Sequence, residues 1–311
     1  GGIYGFWLDN VVLKGTDAPP PPPTVSIDTP VPGLTFIAAS GGQWDRQNIR
    51  TVGNGYSWVG APGPVSYSFD VAKFADNEHA GFQLHMYFVP GTPDATRSDP
   101  DWHESDVLMW AIGNNADGSA YSDVRYKTNA PDSNGIFYSD GNLGGADSST
   151  ILGTWKITFN QDTSITTTPP NGDEATATLP ADVVPLFDKT MQIYVGVVPN
   201  DLARIGQMVV LNNVKITGAP GTPDVNSDFL AQPLDTNVWE RIASSANGVL
   251  QVPTDAAYWV DWTLPALGFG LDASADVASD SWKSPNTAAS FDVGGKHRAL
   301  VRQGDLPGES T

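Results

Sequence analysis

Val65, Tyr67, Phe69 and Val71 alternate with Ser66, Ser68 and Asp70, so apolar and polar residues recur with a period of two. Successive side chains of a strand point to opposite faces, so the pattern predicts a strand with one dry face and excludes an amphipathic helix. The same period returns along the chain. Phe82, Leu84, Met86 and Phe88 alternate with Gln83, His85 and Tyr87, while Trp155, Ile157 and Phe159 alternate with Lys156 and Thr158. Ile193, Val195 and Val197 alternate with Gln192 and Tyr194. Many half-buried antiparallel strands bury their dry faces by packing as two sheets, which predicts a jelly-roll β-sandwich. Val65, Phe69, Leu84, Phe88, Ile157, Val195 and Val214 are expected between the sheets.

The 32 Gly and 25 Pro among 311 residues, set between Thr-, Val- and aromatic-rich runs, agree with an all-β chain long enough for about two domains. Cysteine is absent, which excludes a disulfide framework and a cysteine-based zinc site. The net charge of −19 repels nucleic-acid phosphate and anionic lipid surfaces. No apolar run reaches the roughly 18 residues of a membrane-spanning helix. Low lysine, abundant Asp, Asn, Gly and Thr, and Pro-rich stretches fit an exported bacterial protein, extracellular or at the cell surface.

Internal repetition suggests a domain map. "DNVVLKG" at 9–15 matches "NNVKITG" at 212–218, and both run into Pro-rich stretches, "TDAPPPPP" and "APGTP". "WDR" at 44–46 corresponds to "WER" at 239–241, each followed by an Asn-Gly pair. Repeated punctuation of this kind marks boundaries. The map has a terminal strand of a preceding or neighbouring domain at 1–15 and a Pro-rich linker at 16–23. A jelly-roll sandwich at 24–218, a linker at 219–224 and a small incomplete β-sandwich at 225–311 follow.

Two resemblances add to this reading. With "WAIGNNADG", "GTWKITFNQDT" and "VVLNNVKITG", residues 24–218 resemble the concanavalin and laminin-G type of jelly roll and the carbohydrate-binding modules that share it. Residues 246–311 resemble the small β-sandwich module near the C-termini of large exported bacterial proteins. Trp262, Pro265, Gly268, Phe269, Leu271, Ser274, Asp276 and Trp282 match its pattern, and the final strand of that module has no counterpart before the chain stops at "GDLPGEST".

A search for chemistry points to binding. Glycoside hydrolysis needs two flanking carboxylates, and no Glu-x-Asp-x-x-Glu strand occurs. The acidic stretch "DPDWHESD" at 99–106 reads as a loop, with Trp102 as its exposed aromatic. "QLH" at 83–85 is similar to the Gln-Ile-His of jelly-roll alginate lyases, but the Arg-x-Glu-x-Arg and Tyr-Phe-Lys-x-Gly-x-Tyr strands of that family are missing, so the chain is expected not to be an enzyme. Gln83, His85, Tyr87 and Tyr194, with Trp102, form a candidate carbohydrate-binding set, because amides read hydroxyls and aromatic rings stack on sugars. Asn115, Asp117 and Asp123 in an Asx-rich turn offer oxygen ligands, which makes calcium the one cofactor to consider; the EF-hand register is missing, and an ordinary turn is the favoured explanation.

The sequence reading is therefore a non-catalytic extracellular structural or adhesive protein. Phe6, Trp7, Val11 and Leu13 would pair by strand complementation with another copy or with a longer parent chain, building a filament. The alternative is a carbohydrate-binding jelly roll of a polysaccharide-active enzyme.

Overall fold

The computed structural model describes residues 25–38, 47–53, 55–74, 82–90, 107–114, 120–127, 134–140, 151–181, 184–187, 191–199, 206–230, 234–242, 249–252, 257–263, 289–293 and 295–302. In chain order the strands begin with β1 (Val25–Asp28), β2 (Gly33–Ile37), β3 (Gln47–Thr51), β4 (Val65–Phe74), β5 (Phe82–Pro90), β6 (Val107–Asn114), β7 (Ala120–Lys127), β8 (Asn134–Asp140) and β9 (Gly153–Phe159). They continue with β10 (Ser164–Thr168), β11 (Ala175–Thr178), β12 (Met191–Pro199), β13 (Met208–Thr217), β14 (Val225–Ser227), β15 (Trp239–Arg241), β16 (Val249–Val252), β17 (Ala257–Thr263), β18 (Ala289–Val293) and β19 (Lys296–Arg302).

Residues 31–253 form one unit with two antiparallel sheets. One sheet runs in the order β11-β10-β9-β4-β13-β2-β16, with β14 also paired to β13; the other runs β15-β3-β12-β5-β6-β7-β8. They pack as a jelly-roll β-sandwich. The alternation read from the sequence supplies the interface: Val65, Phe69, Leu84, Phe88, Ile157, Val195 and Val214 are all fully buried. Aromatic rings join the two sheets. Phe69 lies 5.3 Å from Trp110, and Trp110 lies 6.2 Å from Trp155; Tyr67 meets Phe88 edge-on at 4.8 Å. The buried polar tips of Trp110, Trp155 and Tyr67 each have a partner, as the cost of leaving them bare demands. Trp110 Nε1 donates to Ser122 Oγ, Trp155 Nε1 to the Ile151 carbonyl, and Tyr67 Oη to the Tyr56 carbonyl. Gln47 ties the sheets at one end, its side-chain amide both donating to and accepting from the backbone of Ile37.

The second unit joins residues 1–30 with 254–311, and its described strands form one four-stranded antiparallel sheet in the order β1-β17-β19-β18. Trp259, Val260, Phe291, Ala299 and Leu300 are buried in it. Arg298 places a guanidinium fork on Asp261, at 2.6 and 2.8 Å, and lies over the Trp259 ring.

This arrangement departs from the domain map read off the sequence. The segment 219–224 is the turn of a β13–β14 hairpin, with the Gly218 N–H donating to Asp224 Oδ1 and Thr222 Oγ1 to the Gly55 carbonyl. Pro and Gly serve turns as readily as linkers, which is why the two could not be told apart in sequence. Residues 225–252 then return to the larger sandwich, giving β14 and β16 to one sheet and β15 to the other. At the other end, residues 25–28 leave the sandwich assigned to 24–218 and pair with β17, Val25 opposite Trp262 and Asp28 opposite Trp259. The N-terminal strand and linker at 1–23 lie outside the described residues, as do Pro265 to Trp282 of the C-terminal module pattern.

Candidate functional site

The two outer faces of the sandwich are chemically unlike. On the eight-stranded sheet, Ser66, Thr158, Thr166 and Thr176 form a row across β4, β9, β10 and β11, with Ser66 bonded to Thr158 and Thr166 to Thr176, each at 3.0 Å. Lys156, Lys215, Thr154 and Thr178 stand exposed around it. Short hydroxyls and lysines are what a wetted sheet face needs and no more.

The outer face of the seven-stranded sheet carries amides, phenols, an imidazole and guanidiniums instead. The register sets Glu240, Arg50, Tyr194, Tyr87, Met109 and Arg125 side by side across β15, β3, β12, β5, β6 and β7. One step along the strands come Asn48, Gly196, His85, Ala111 and Asp123. The next row holds Val198, Gln83, Gly113 and Tyr121. Gln83, His85, Tyr87 and Tyr194 therefore share one face, as their alternation implied, and Tyr87 pairs directly with Tyr194.

Two glycines let side chains cross from neighbouring strands to β5. Over Gly196 the Asn48 side chain spans β12, and its Oδ1 lies 2.6 Å from His85 Nε2. A Cβ at 196 would come within 2.3 Å of that oxygen. Over Gly113 the Tyr121 ring spans β6, and its hydroxyl donates to Gln83 Oε1 at 3.4 Å. A Cβ there would meet the same hydroxyl at 2.8 Å. Gln83 in turn donates to Met109 Sδ, and the His85 and Tyr87 rings lie 4.2 Å apart. The central strand β5 is thus approached from both sides.

The charged groups come in matched pairs at either end. Arg50 bonds the Glu240 carboxylate and donates to Tyr194 Oη, which itself donates to Gln192 Oε1 at 3.1 Å. Burial disfavours the Arg50 charge, but the bonds to Tyr194 and Glu240 outweigh it and raise the guanidinium's pKa. Arg125 bonds Asp123 through Nε at 3.2 Å and Nη2 at 2.5 Å, and lies over the Tyr121 ring.

Much of this face is buried, which the sequence did not suggest. His85, Tyr87 and Tyr194 retain 0, 2 and 3% of their surface, so they are not the open stacking platform expected of them. His85 Nε2 and Tyr194 Oη bond neighbouring side chains, and Tyr87 and Tyr194 belong to an apolar cluster with Val107, Met109, Ala111 and Ile242. Gln83, Tyr121 and Arg125 keep partial exposure, and they mark the reachable corner. Sequence reading missed Tyr121, Arg125, Asn48 and Arg50. The alternation of Tyr121, Asp123 and Arg125 with Ser122 and Val124 was the signal that could have found Tyr121 and Arg125.

Of the other expected residues, Trp102, Asn115 and Asp117 lie outside the described residues, as do Phe6, Trp7, Val11 and Leu13. Asp123 sits on β7 with its carboxylate on Arg125 rather than in a turn offering ligands. Among the described residues no group of three or more His, Asp or Glu side chains is placed to hold a metal ion.

Burial pushes the Tyr121 phenol up to about 12, with Arg125 lowering it and Asp123 raising it, and pushes Tyr67 up further in direction. Unfolded tyrosines ionise near pH ~10. The folded chain therefore binds more protons than the unfolded one above that value, so this contribution to stability is complete below pH ~10 and is lost as pH rises through ~12. In an alkaline titration followed by tyrosinate absorbance and circular dichroism together, part of the signal from the nine tyrosines should appear only as the fold is lost. Ionisation of all nine with the fold intact would contradict the buried placement.

No family model matches the sequence, and neither does any curated protein. Among solved structures, the chain is similar to an alginate lyase from Pseudomonas aeruginosa, with 9% identity and a TM-score of 0.30 over 52% of this chain and 68% of that one. It is similar also to tailspike protein 2 of Escherichia coli O157:H7 bacteriophage CAB120, with 13% identity and a TM-score of 0.34 over 65% of this chain and 26% of that one. A heptameric SAP-like pentraxin from Limulus polyphemus has 9% identity and a TM-score of 0.27 over 65% of this chain and 94% of that one. These are likenesses of β-sandwich architecture alone, and they assign no activity.

Proposed function

We propose that the larger sandwich is a non-catalytic glycan-binding module of an extracellular protein, with ligand contact at the corner of Gln83, Tyr121 and Arg125. The observation that carries this reading is the contrast between the two outer faces of one sandwich. A face that only meets water is served by the Ser/Thr ladder of the eight-stranded sheet. The seven-stranded sheet instead gathers amides, phenols and guanidiniums in rows held by bonds across strands, with two glycines in the places where side chains must cross. Glycan sites use such groups: planar amides and phenols that accept and donate to hydroxyls, with their own neighbours fixing their orientation.

The test is retention on polysaccharides in affinity gels and by titration calorimetry. Gln83→Ala and Tyr121→Phe should each weaken binding about tenfold, the loss of one hydrogen bond worth about 1.4 kcal/mol. Unchanged affinity in both variants would remove this corner from the site. Release of reducing ends or unsaturated sugars by the natural chain would overturn the non-catalytic part of the reading. The filament reading rests on residues 3–13, which lie outside the described residues.

A further inference from the structure

We infer that the ligand of this face is an uncharged glycan, and that uronic-acid and sulfated polymers are excluded by its design. The inference rests on the glycan-binding reading and goes further in naming the chemical class. Both guanidiniums described on the face are already matched by carboxylates of the chain. Arg50 is bonded to Glu240, and Arg125 to Asp123, whose side chain is only 7% exposed.

An incoming carboxylate at Arg125 would have to share the guanidinium with Asp123, placing two like charges against one cation. Displacing Asp123 instead would leave a buried carboxylate without its partner, which is strongly unfavourable. At the far end Glu240 already occupies Arg50, so an incoming anion there would have to share the guanidinium or displace that carboxylate. Among the described side chains of the face, the neutral polar groups that keep exposure beside Arg125 are Gln83 and Tyr121, and an amide and a phenol both donate and accept, matching sugar hydroxyls without favouring an anion. The chain as a whole carries −19, so a polyanion is repelled before contact, most strongly at low salt.

The experiment compares the natural full chain on neutral polymers (xylan, galactomannan, β-glucan) and on anionic ones (alginate, polygalacturonate, chondroitin sulfate), at low and at high salt. The expected result is binding to at least one neutral polymer with less than about a twofold change between the two salts, and affinity for every anionic polymer weaker by about tenfold or more. Equal or tighter binding of an anionic polymer, weakening steeply with salt, would overturn the inference while leaving the glycan-binding reading in place. Binding to neither class would overturn the reading itself, and this inference with it. Asp123→Asn and Glu240→Gln each release one guanidinium, and either should bring in binding to polygalacturonate that the natural chain lacks. Glu240 is 41% exposed, so that variant is the one expected to fold without difficulty. If the folded Glu240→Gln chain gains no anion binding, the paired carboxylates are not what excludes anions, and the inference fails.

Discussion

Replacing Trp239 with alanine is expected to lower the stability of the larger sandwich by about 3–5 kcal/mol, the range for deleting a large aromatic from a packed core. Trp239 is fully buried, its indole N–H donates to Ser227 Oγ at 2.8 Å, and its ring neighbours Phe229. Its backbone extends the seven-stranded sheet opposite Thr51, and the next residue brings the carboxylate that pairs Arg50. Denaturant unfolding of the variant measures the loss. A change below about 1 kcal/mol would put residue 239 outside the core and restore a boundary near residue 218. By the same reasoning a chain ended at residue 218 lacks β14, β15 and β16 and should not fold cooperatively.

Alanine at Gly196 should destabilise by about 3 kcal/mol, toward the upper end of what overpacking costs. The added Cβ would lie 1.9 Å from the Gln47 carbonyl oxygen and 2.9 Å from Asn48 Cα, so the backbone of β3 must move and not just a flexible side chain. The same carbon would push Asn48 off His85 and disturb the row that holds the candidate site. Gly63→Ala provides the comparison, since a Cβ there meets nothing within 4 Å. Near-equal melting temperatures for the two variants would show that the close approach over Gly196 is not tight.

The inner faces of the sandwich were legible in the sequence because one rule governs them. Strands such as β4 and β9 alternate buried with exposed residues, and Phe69 or Ile157 could be assigned from its neighbours alone. That rule loses its hold where both faces are dry. In β5 and β12 the residues between the core positions, His85, Tyr87, Gln192 and Tyr194, are polar in composition and buried in fact, and for His85, Gln192 and Tyr194 partners from strands far away in sequence meet their polar atoms. Asn48 lies 37 residues from His85, and no local pattern announces the pair. The domain boundary was misread for a related reason. "APGTP" has the residues of a linker, and only Val225 and Trp239, packed back into the core, show that it is a turn.

The order in which these strands become available sets how the chain can fold. Strand β2 finds its partners in β13 and β16, which begin at Met208 and Val249, and β3 finds its own in β12 and β15. β1 waits longer still, for Ala257–Thr263. On a growing chain the first three described strands are therefore made early and paired late, with apolar residues such as Leu34, Phe36 and Ile49 left facing solvent in the meantime. Closing loops of this length before any contact rewards them makes for slow folding and a long interval in which open strand edges can join other chains. Refolding should accordingly be concentration-sensitive, with yield falling as protein concentration rises, even though the finished sandwich pairs β2 and β3 on both sides.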